Sequence, residues 1–448
     1  MKQLLALVAA VALPLAAAGD LTVGFEKYRL KNGLRVILAQ DNAVPVVAVY
    51  LIYGVGARSE QKGRSGFAHL FEHMMFQGSK NAPKGMHFQT VEANGGSLNG
   101  STHIDFTDYY EVLPSNQLAV ALWLEADRMR GLNITAENLD NQKEAVKQER
   151  RLTFDNRPYN TALVDRFPAM AFRNWQNYHS TIGSFEDLNA ATVEDVSKFF
   201  QTYYAPNNAV LAIAGDLRVP EAKKLVETYF GHLEPQPQPK HPDTTEPGGA
   251  ETRADVYRDS LARVPAVLVG WPGPKRRSPD YNAMVMLDLV LTEGDSSRFQ
   301  QTLVKGRQSV VRFEASLGYP MGGSSEYVDP GVYGVFLTHQ PRIPGREVAS
   351  QVEEEIAKIH KDGIPVKELD RARAQWRAYR IREMQNALNR AMLLAQYELL
   401  DGKPEWITEE LNAFLSVTPA QVQAAAKKYL VPEKRVMLEI VPAPKEGK

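Results

Sequence analysis

The order of apolar and polar positions divides the chain into short strands and amphipathic helices. Apolar residues cluster between Gly33 and Tyr53 and are interrupted at Asp41-Asn42, which predicts two strands joined by a turn. The segment Ser97–Leu113 has an extended pattern, and Ala209–Ala214 is typical of a buried strand. Helical periodicity is found at 66–77, 117–131, 135–151, 193–203 and 219–230.

The pattern changes at 234–252, a segment with five prolines, two glycines and no apolar periodicity, which indicates a linker. Similar elements then recur: strands at 266–271 and through 332–338, and helices at 281–291, 346–361 and 366–400. We therefore expect an N-terminal domain at 19–233 and a C-terminal domain at 253–448, with 1–18 as a separate leader. A length of 448 residues is too great for a single compact domain.

The two halves share a short internal sequence repeat. Thr192 is followed by Val196, Tyr203, Pro206 and Val210 in the first half. The same five residue types recur 226 positions later, as Thr418, Val422, Tyr429, Pro432 and Val436. Because both copies run from a helix into a strand, duplication explains them. The predicted fold class is α+β, with two homologous domains, each a mostly antiparallel sheet backed by helices.

The N-terminus has the pattern of a secretory signal peptide. Lys2 precedes an apolar run from Leu4 to Ala18 that Pro14 interrupts, and the run ends in small residues. A membrane anchor is the alternative, but a spanning helix needs about 20 apolar residues. We expect cleavage near Ala18, a periplasmic or secreted mature protein, and no membrane span in the mature chain.

Composition narrows the possible chemistry. The chain has no cysteine, which excludes disulfides, cysteine nucleophiles and thiolate metal sites. A formal charge of −1 provides no global basic field for nucleic acid, so no nucleic-acid partner is expected. A bound metal would have to be held by His, Asp or Glu.

The segment His69-Leu70-Phe71-Glu72-His73 lies in a predicted helix and carries the candidate chemistry. Residues four apart share a helix face, so the two imidazoles can bind one ion, with Glu72 beside them. This spacing is the inverted zinc-peptidase motif, and catalytic zinc needs three protein ligands. The third should be a carboxylate or histidine on a facing helix, and Glu149 is the best candidate. Two surface histidines beside a glutamate are the alternative, which the apolar surroundings of the motif disfavour.

With these motifs the chain resembles the pitrilysin family of zinc peptidases, which includes insulin-degrading enzyme and mitochondrial processing peptidase. The resemblance rests on the segments 66–74 and 95–102, on Glu149 at the family's ligand spacing, and on 204–209 with 214–216. It covers essentially the whole chain after residue 18. It implies α/β-roll domains, and a peptide chamber that two such chains close around the substrate.

The resemblance also implies roles for individual residues. The zinc ligands for one ion per chain would be His69, His73 and Glu149, and Glu72 would be the general base and later proton donor. Many members have a second-shell glutamate two helical turns before the third ligand, where this chain has Gln142.

A second set of residues is assigned to the substrate. Asn99, with Ser97 and Thr102 around it, resembles the family's strand edge for an extended peptide, although Asn99 could be an ordinary turn residue. Tyr110 would orient Glu149 or the substrate, or would simply pack in a strand. His87 and His103 have no ligand spacing and are expected to be polar or solvent residues.

The second half has no His-x-x-Glu-His motif. Active members place an Arg and a Tyr, seven apart, after a Ser-Ser-Arg segment, but these positions correspond here to Val304 and Val311. We therefore expect a heterodimer in which a homologous subunit supplies the Arg/Tyr pair. The alternatives are a homodimer in which Arg298 or Arg307 replaces the pair, and a non-catalytic scaffold subunit.

Overall fold

A computed structural model describes residues 22–247, 251–329 and 331–443. The leader predicted at 1–18 lies outside these residues. Among the helices described, none combines the length and the apolar character needed to cross a membrane.

The first half contains a six-stranded sheet in the order β1-β2-β6-β3-β5-β4. Its strands are β1 (Glu26–Arg29), β2 (Arg35–Gln40), β3 (Val46–Tyr53), β4 (Ser97–Thr102), β5 (Thr107–Pro114) and β6 (Ala209–Gly215). The strands predicted between Gly33 and Tyr53 are present as β2 and β3, but they are not neighbours. β6 lies between them, parallel to β2 and antiparallel to β3. A local pattern cannot reveal this, because the intervening strand comes from a distant part of the chain.

The helices of this half are α1 (Phe67–Met74), α2 (Met86–Ala93), α3 (Leu118–Arg130), α4 (Ala136–Arg150), α5 (Phe167–Ala171), α6 (Phe185–Ala190), α7 (Val193–Tyr203) and α8 (Val219–Phe230). All of them except α5 pack on one face of the sheet. The start of α4 is fixed by Thr135, whose side chain accepts a hydrogen bond of 3.2 Å from the backbone N–H of Asn138.

The second half repeats this plan with five strands in the order β7-β11-β8-β10-β9. The strands are β7 (Arg253–Asp259), β8 (Ala266–Pro272), β9 (Val310–Leu317), β10 (Val332–His339) and β11 (Val436–Pro442). The helices are α9 (Tyr281–Thr292), α10 (Gly345–Asp362), α11 (Val366–Gln385), α12 (Ala387–Gln396), α13 (Trp406–Leu415) and α14 (Pro419–Tyr429). The predicted fold class, α+β with two related halves and mostly antiparallel sheets, is confirmed.

The internal sequence repeat corresponds to a capped helix followed by a strand in each half. Thr192 and Thr418 each cap a helix, α7 and α14, in a reciprocal capping box with Asp195 and Gln421. Each helix is followed by a short 3₁₀ turn and by the strand β6 or β11.

The single helix predicted at 366–400 is wrong, because the chain turns at Asn386. This residue has an extended backbone, and its side chain accepts a hydrogen bond of 2.8 Å from the N–H of Leu388, which starts α12. α12 then packs on the face of the first sheet that α1 does not cover, with Leu393 and Leu394 buried against β3 and β6. Conversely, Phe167 of α5 packs against the second sheet. Each sheet is therefore covered on one face by a helix from the other half.

Candidate metal centre

The helix α1 is fixed at its N-terminus by a buried carboxylate. Glu60 accepts hydrogen bonds from the backbone N–H groups of Gly66, at 2.8 Å, and Ala68, at 2.7 Å. Gly66 has a left-handed φ of 80°, and a Cβ there would lie 2.6 Å from the backbone of Gly183. The apolar side of α1 is buried in the core, which leaves its polar side facing α4.

The structure brings together the three residues predicted as metal ligands. Nε2 of His73 lies 3.2 Å from Oε2 of Glu149, and Nε2 of His69 lies 3.6 Å from the same oxygen. The three donor atoms lie within 4.8 Å of one another. The Glu149 side chain is 39% exposed, so the cluster has a path to solvent.

Electrostatics suit these groups to binding a cation. Burial, and then the neighbouring His73, lower the pKa of His69 to about 4, which leaves its imidazole neutral at pH 7. Burial also disfavours the charged form of His73, but its hydrogen bond to Glu149 and the charge of Glu72 raise its pKa overall. The same hydrogen bond lowers the pKa of Glu149. Two imidazoles and one carboxylate are a donor set that fits catalytic zinc.

Glu72 lies beside this cluster, above strand β4. Oγ1 of Thr102 donates a hydrogen bond of 2.7 Å to Oε2 of Glu72. A Cβ on Gly100 would lie 3.0 Å from the ring of Tyr109 and 3.2 Å from Cγ of Glu72, so glycine at this position leaves space for both side chains. Burial raises the pKa of Glu72, and the hydrogen bond from Thr102 opposes that shift. The sequence did not indicate that Thr102 contacts Glu72, nor that Gly100 provides this space.

Of the two residues predicted to support the ligands, only Gln142 is in place. Its Oε1 lies 3.3 Å from Nδ1 of His73, so an imidazole with a free Nε2 donates its Nδ1–H to this amide. Tyr110 lies on the face of the sheet away from Glu149, which favours the interpretation that it packs in the strand over a role in orienting this ligand. Side chains alternate along β5, so Tyr109 faces α1 while Tyr110 packs on the opposite face of the sheet.

The strand predicted to bind substrate lies at an edge of the sheet. β4 pairs with β5 alone among the described strands, and Ser97 and Asn99 are exposed on it. Asn99 is directly opposite Tyr110 in the register, so both side chains lie on the face away from α1. Thr102 lies on the α1 face, where it contacts Glu72.

Of the two expectations for His87, a polar or a solvent residue, the structure supports the first, because the side chain is buried. Its Nε2 lies 2.9 Å from Oε1 of buried Glu111, and burial lowers the pKa of His87 to about 3. With Glu125 these groups form a second cluster that meets metal-ligand spacing. Nε of Arg128 donates a hydrogen bond of 2.8 Å to Glu125, so this cluster already contains a fixed cation.

His103 is likewise a polar residue with fixed partners and not a solvent residue. It bridges the two halves, with Nε2 at 3.1 Å from Asp108 and Nδ1 at 3.2 Å from Glu326. Burial opposes its protonation, but these two carboxylates raise the pKa of His103 to about 10.

In the second half, the structure places Val304 and Val311 together. Both line a surface cavity of about 350 Å³ beside β9, and the Val311 side chain is exposed. α9 follows β8 as α1 follows β3, and it carries a carboxyl, Asp288, whose pKa burial raises to about 7. The described residues of this half contain no His/Asp/Glu cluster with metal-ligand spacing.

Comparisons with known proteins identify the family. Residues 35–184 match a sequence model described as Insulinase (Peptidase family M16), and residues 190–376 match one described as Peptidase M16 inactive domain. The zinc protease PqqE of Helicobacter pylori is 29% identical over 414 residues, which cover 90% of each chain.

A probable mitochondrial-processing peptidase subunit beta of Schizosaccharomyces pombe is 25% identical over 318 residues, which cover 70% of this chain and 68% of that protein. The crystal structure of a protease from Helicobacter pylori matches with a TM-score of 0.87 and 26% identity, over 94% of this chain and 100% of that chain. The chain therefore belongs to the M16 family of peptidases, which is the family that its metal motif and its edge-strand segment predicted.

Proposed function

We propose that this protein is the zinc-bearing subunit of a metalloendopeptidase that hydrolyses extended peptides. His69, His73 and Glu149 would hold one zinc ion, and Glu72 would be the general base. The observation that carries the proposal is the convergence of these four side chains from α1 and α4 beside the edge strand β4.

Each part of the site would contribute a separate function. A bound zinc ion supplies Lewis acidity, which polarises a peptide carbonyl and makes a water molecule more acidic. Glu72 would accept a proton from water and pass it to the leaving amine, while Thr102 holds its carboxylate in place. The outer edge of β4, around Asn99, would pair with the peptide backbone, and this pairing would align the scissile bond beside α1.

We propose further that a homologous chain completes the active site. The positions of the family's Arg/Tyr pair are Val304 and Val311, which provide no hydrogen-bond donors. The neighbouring arginines already have acidic partners: Arg298 donates to Glu368 at 2.7 Å, and Arg307 is paired with Glu354. Loss of an oxyanion donor costs roughly 10²–10³ in rate. The isolated chain should therefore be slow, and its partner should supply the missing donors.

Zinc content and peptide cleavage test the proposal together. The purified chain should bind one zinc per chain, cleave unstructured peptides slowly alone, and gain at least tenfold in kcat/KM with a homologue that carries the Arg/Tyr pair. Glu72→Gln should keep the metal and lose turnover. Full activity of the chain alone would favour the homodimer, and absence of bound zinc would favour a scaffold subunit.

The location of the protein is a separate proposal. The pattern of residues 1–18 supports export to the periplasm or the medium, with cleavage near Ala18. N-terminal sequencing of the protein from fractionated cells should give a mature chain that begins close to residue 19. An intact Met1 in the exported fraction would contradict cleavage.

A further inference from the structure

A cavity of about 850 Å³ lies between the two halves of the chain. One wall is the face of the first sheet that lies away from α1, with Tyr50, Ser101 and Tyr110. The other walls come from the second half, mainly from α11 and α12. Its volume is in the range of known ligand pockets.

The cavity extends to the edge strand that is proposed to bind substrate. Ser101 lies in β4, and the register places it opposite Asp108, which also lines the cavity. A peptide that adds to the outer edge of β4 directs successive side chains to opposite faces of the sheet. Every second side chain of the peptide would therefore lie on the α1 face, near Glu72. The side chains between them would lie on the face of Ser101, where the cavity is located.

The walls of the cavity favour large apolar side chains. Tyr110, Trp376 and Tyr379 offer aromatic surfaces, and Tyr379 is 49% exposed. Buried charges on the wall are already paired. Arg380 donates to Glu410 at 2.7 Å, and Asp108 holds His103 at 3.1 Å. Aromatic side chains bury more apolar area than others and pair well with rings.

We propose that this cavity is a specificity pocket for the aromatic side chains of the substrate peptide. The pocket would receive every second side chain of the bound peptide, on the face of the sheet opposite the metal ligands. This assignment deepens the proposed peptidase function and rests on it, because the peptide must first pair with β4.

The test uses eight-residue peptides of Ala and Ser with a single Phe moved through successive positions. Cleavage is measured with the zinc-loaded chain and its homologous partner, and binding is measured with zinc-loaded Glu72→Gln. We expect Phe to lower KM about tenfold at positions of one parity relative to the scissile bond, and to have little effect at the other.

A matched pair of variants then locates the effect. Ala378 lines the cavity, whereas Ala374 is exposed one helical turn earlier on the same helix, α11. Ala378→Trp should fill the pocket and abolish the Phe preference, while the Phe-free peptide keeps its kcat/KM and the zinc content is unchanged. Ala374→Trp should behave as the unmodified protein.

The outcomes separate this proposal from the peptidase function. Cleavage without a parity-dependent Phe preference, or a preference that Ala378→Trp leaves unchanged, would overturn the pocket. Absence of cleavage by the complete complex would overturn the peptidase function. If there is no cleavage, the binding measurements still test the pocket. Tighter binding of the Phe peptides, lost in Ala378→Trp but not in Ala374→Trp, would support the pocket. Equal binding of all the peptides would overturn it.

Discussion

Replacing Gln142 with glutamate should strengthen metal binding. Oε1 of Gln142 lies 3.3 Å from Nδ1 of His73 and is the acceptor that orients this imidazole. It precedes Glu149 by seven residues, or two helical turns, so both side chains lie on the same face of α4. Gln142→Glu keeps the shape of the side chain and replaces a neutral acceptor with an anionic one.

The expected gain follows from the strength of this hydrogen bond. A neutral hydrogen bond contributes about 1 kcal/mol, and one to a charged group about 2 kcal/mol. The distance of 3.3 Å is long for an N–H···O bond, so we take a difference of about 1 kcal/mol. Because about 1.4 kcal/mol corresponds to a factor of ten, zinc should bind roughly fivefold more tightly.

The assay is competition for zinc with a chromophoric chelator. The control is Gln148→Glu, which adds the same charge to the exposed face of the same helix, away from His73. We expect about fivefold tighter binding for Gln142→Glu and less than twofold for the control. Equal effects of the two variants would show that general charge, and not the hydrogen bond to His73, controls affinity.

Three further predictions concern the base and the contact between the halves. Thr102→Val removes a hydrogen bond to a carboxylate and should lower kcat about tenfold with zinc affinity unchanged, while Thr102→Ser keeps most of the activity. Gly100→Ala places a methyl group 3.2 Å from Cγ of Glu72 and should lower kcat, whereas Gly131→Ala, with open space around its Cβ, should not. The pKa of His103 is raised from 6.5 to about 10, so the stability that it provides should be complete below pH 6.5 and lost as the pH rises towards 10.

Specific results would contradict each of these three. A Thr102→Val variant with the kcat of the unmodified protein would show that the base needs no help from β4. Equal kcat values for Gly100→Ala and Gly131→Ala would show that space beneath Glu72 is unimportant. For His103, urea unfolding from pH 5 to pH 10 is compared with His103→Gln, and a stability difference that does not shrink above pH 6.5 would contradict its raised pKa.

Local patterns predicted the elements of this fold well, but not how they associate. The helices at 193–203 and 219–230 have the predicted bounds, because each combines an apolar face with clear ends. The insertion of β6 between β2 and β3 depends on residues about 170 positions apart, which no local pattern encodes. The turn at Asn386 escaped prediction because the residues on both sides favour helix.

In the candidate site, too, features set by local spacing were predicted, and features that depend on contacts between distant residues were not. The spacing of His69 and His73 specifies one helix face, so their convergence was readable from the sequence. The roles of neighbouring polar residues were not, because they depend on strand register. Tyr110 faces away from the ligands, and Thr102 faces Glu72. His103 shows that an isolated histidine can be held by carboxylates from two parts of the chain.

Anomalous diffraction at the zinc edge, from crystals of the zinc-loaded protein, tests the central claim most directly. We predict one strong peak per chain, about 2.0–2.2 Å from Nε2 of His69, Nε2 of His73 and a carboxylate oxygen of Glu149. A peak at His87 and Glu111, or no peak at His69 and His73, would contradict the account.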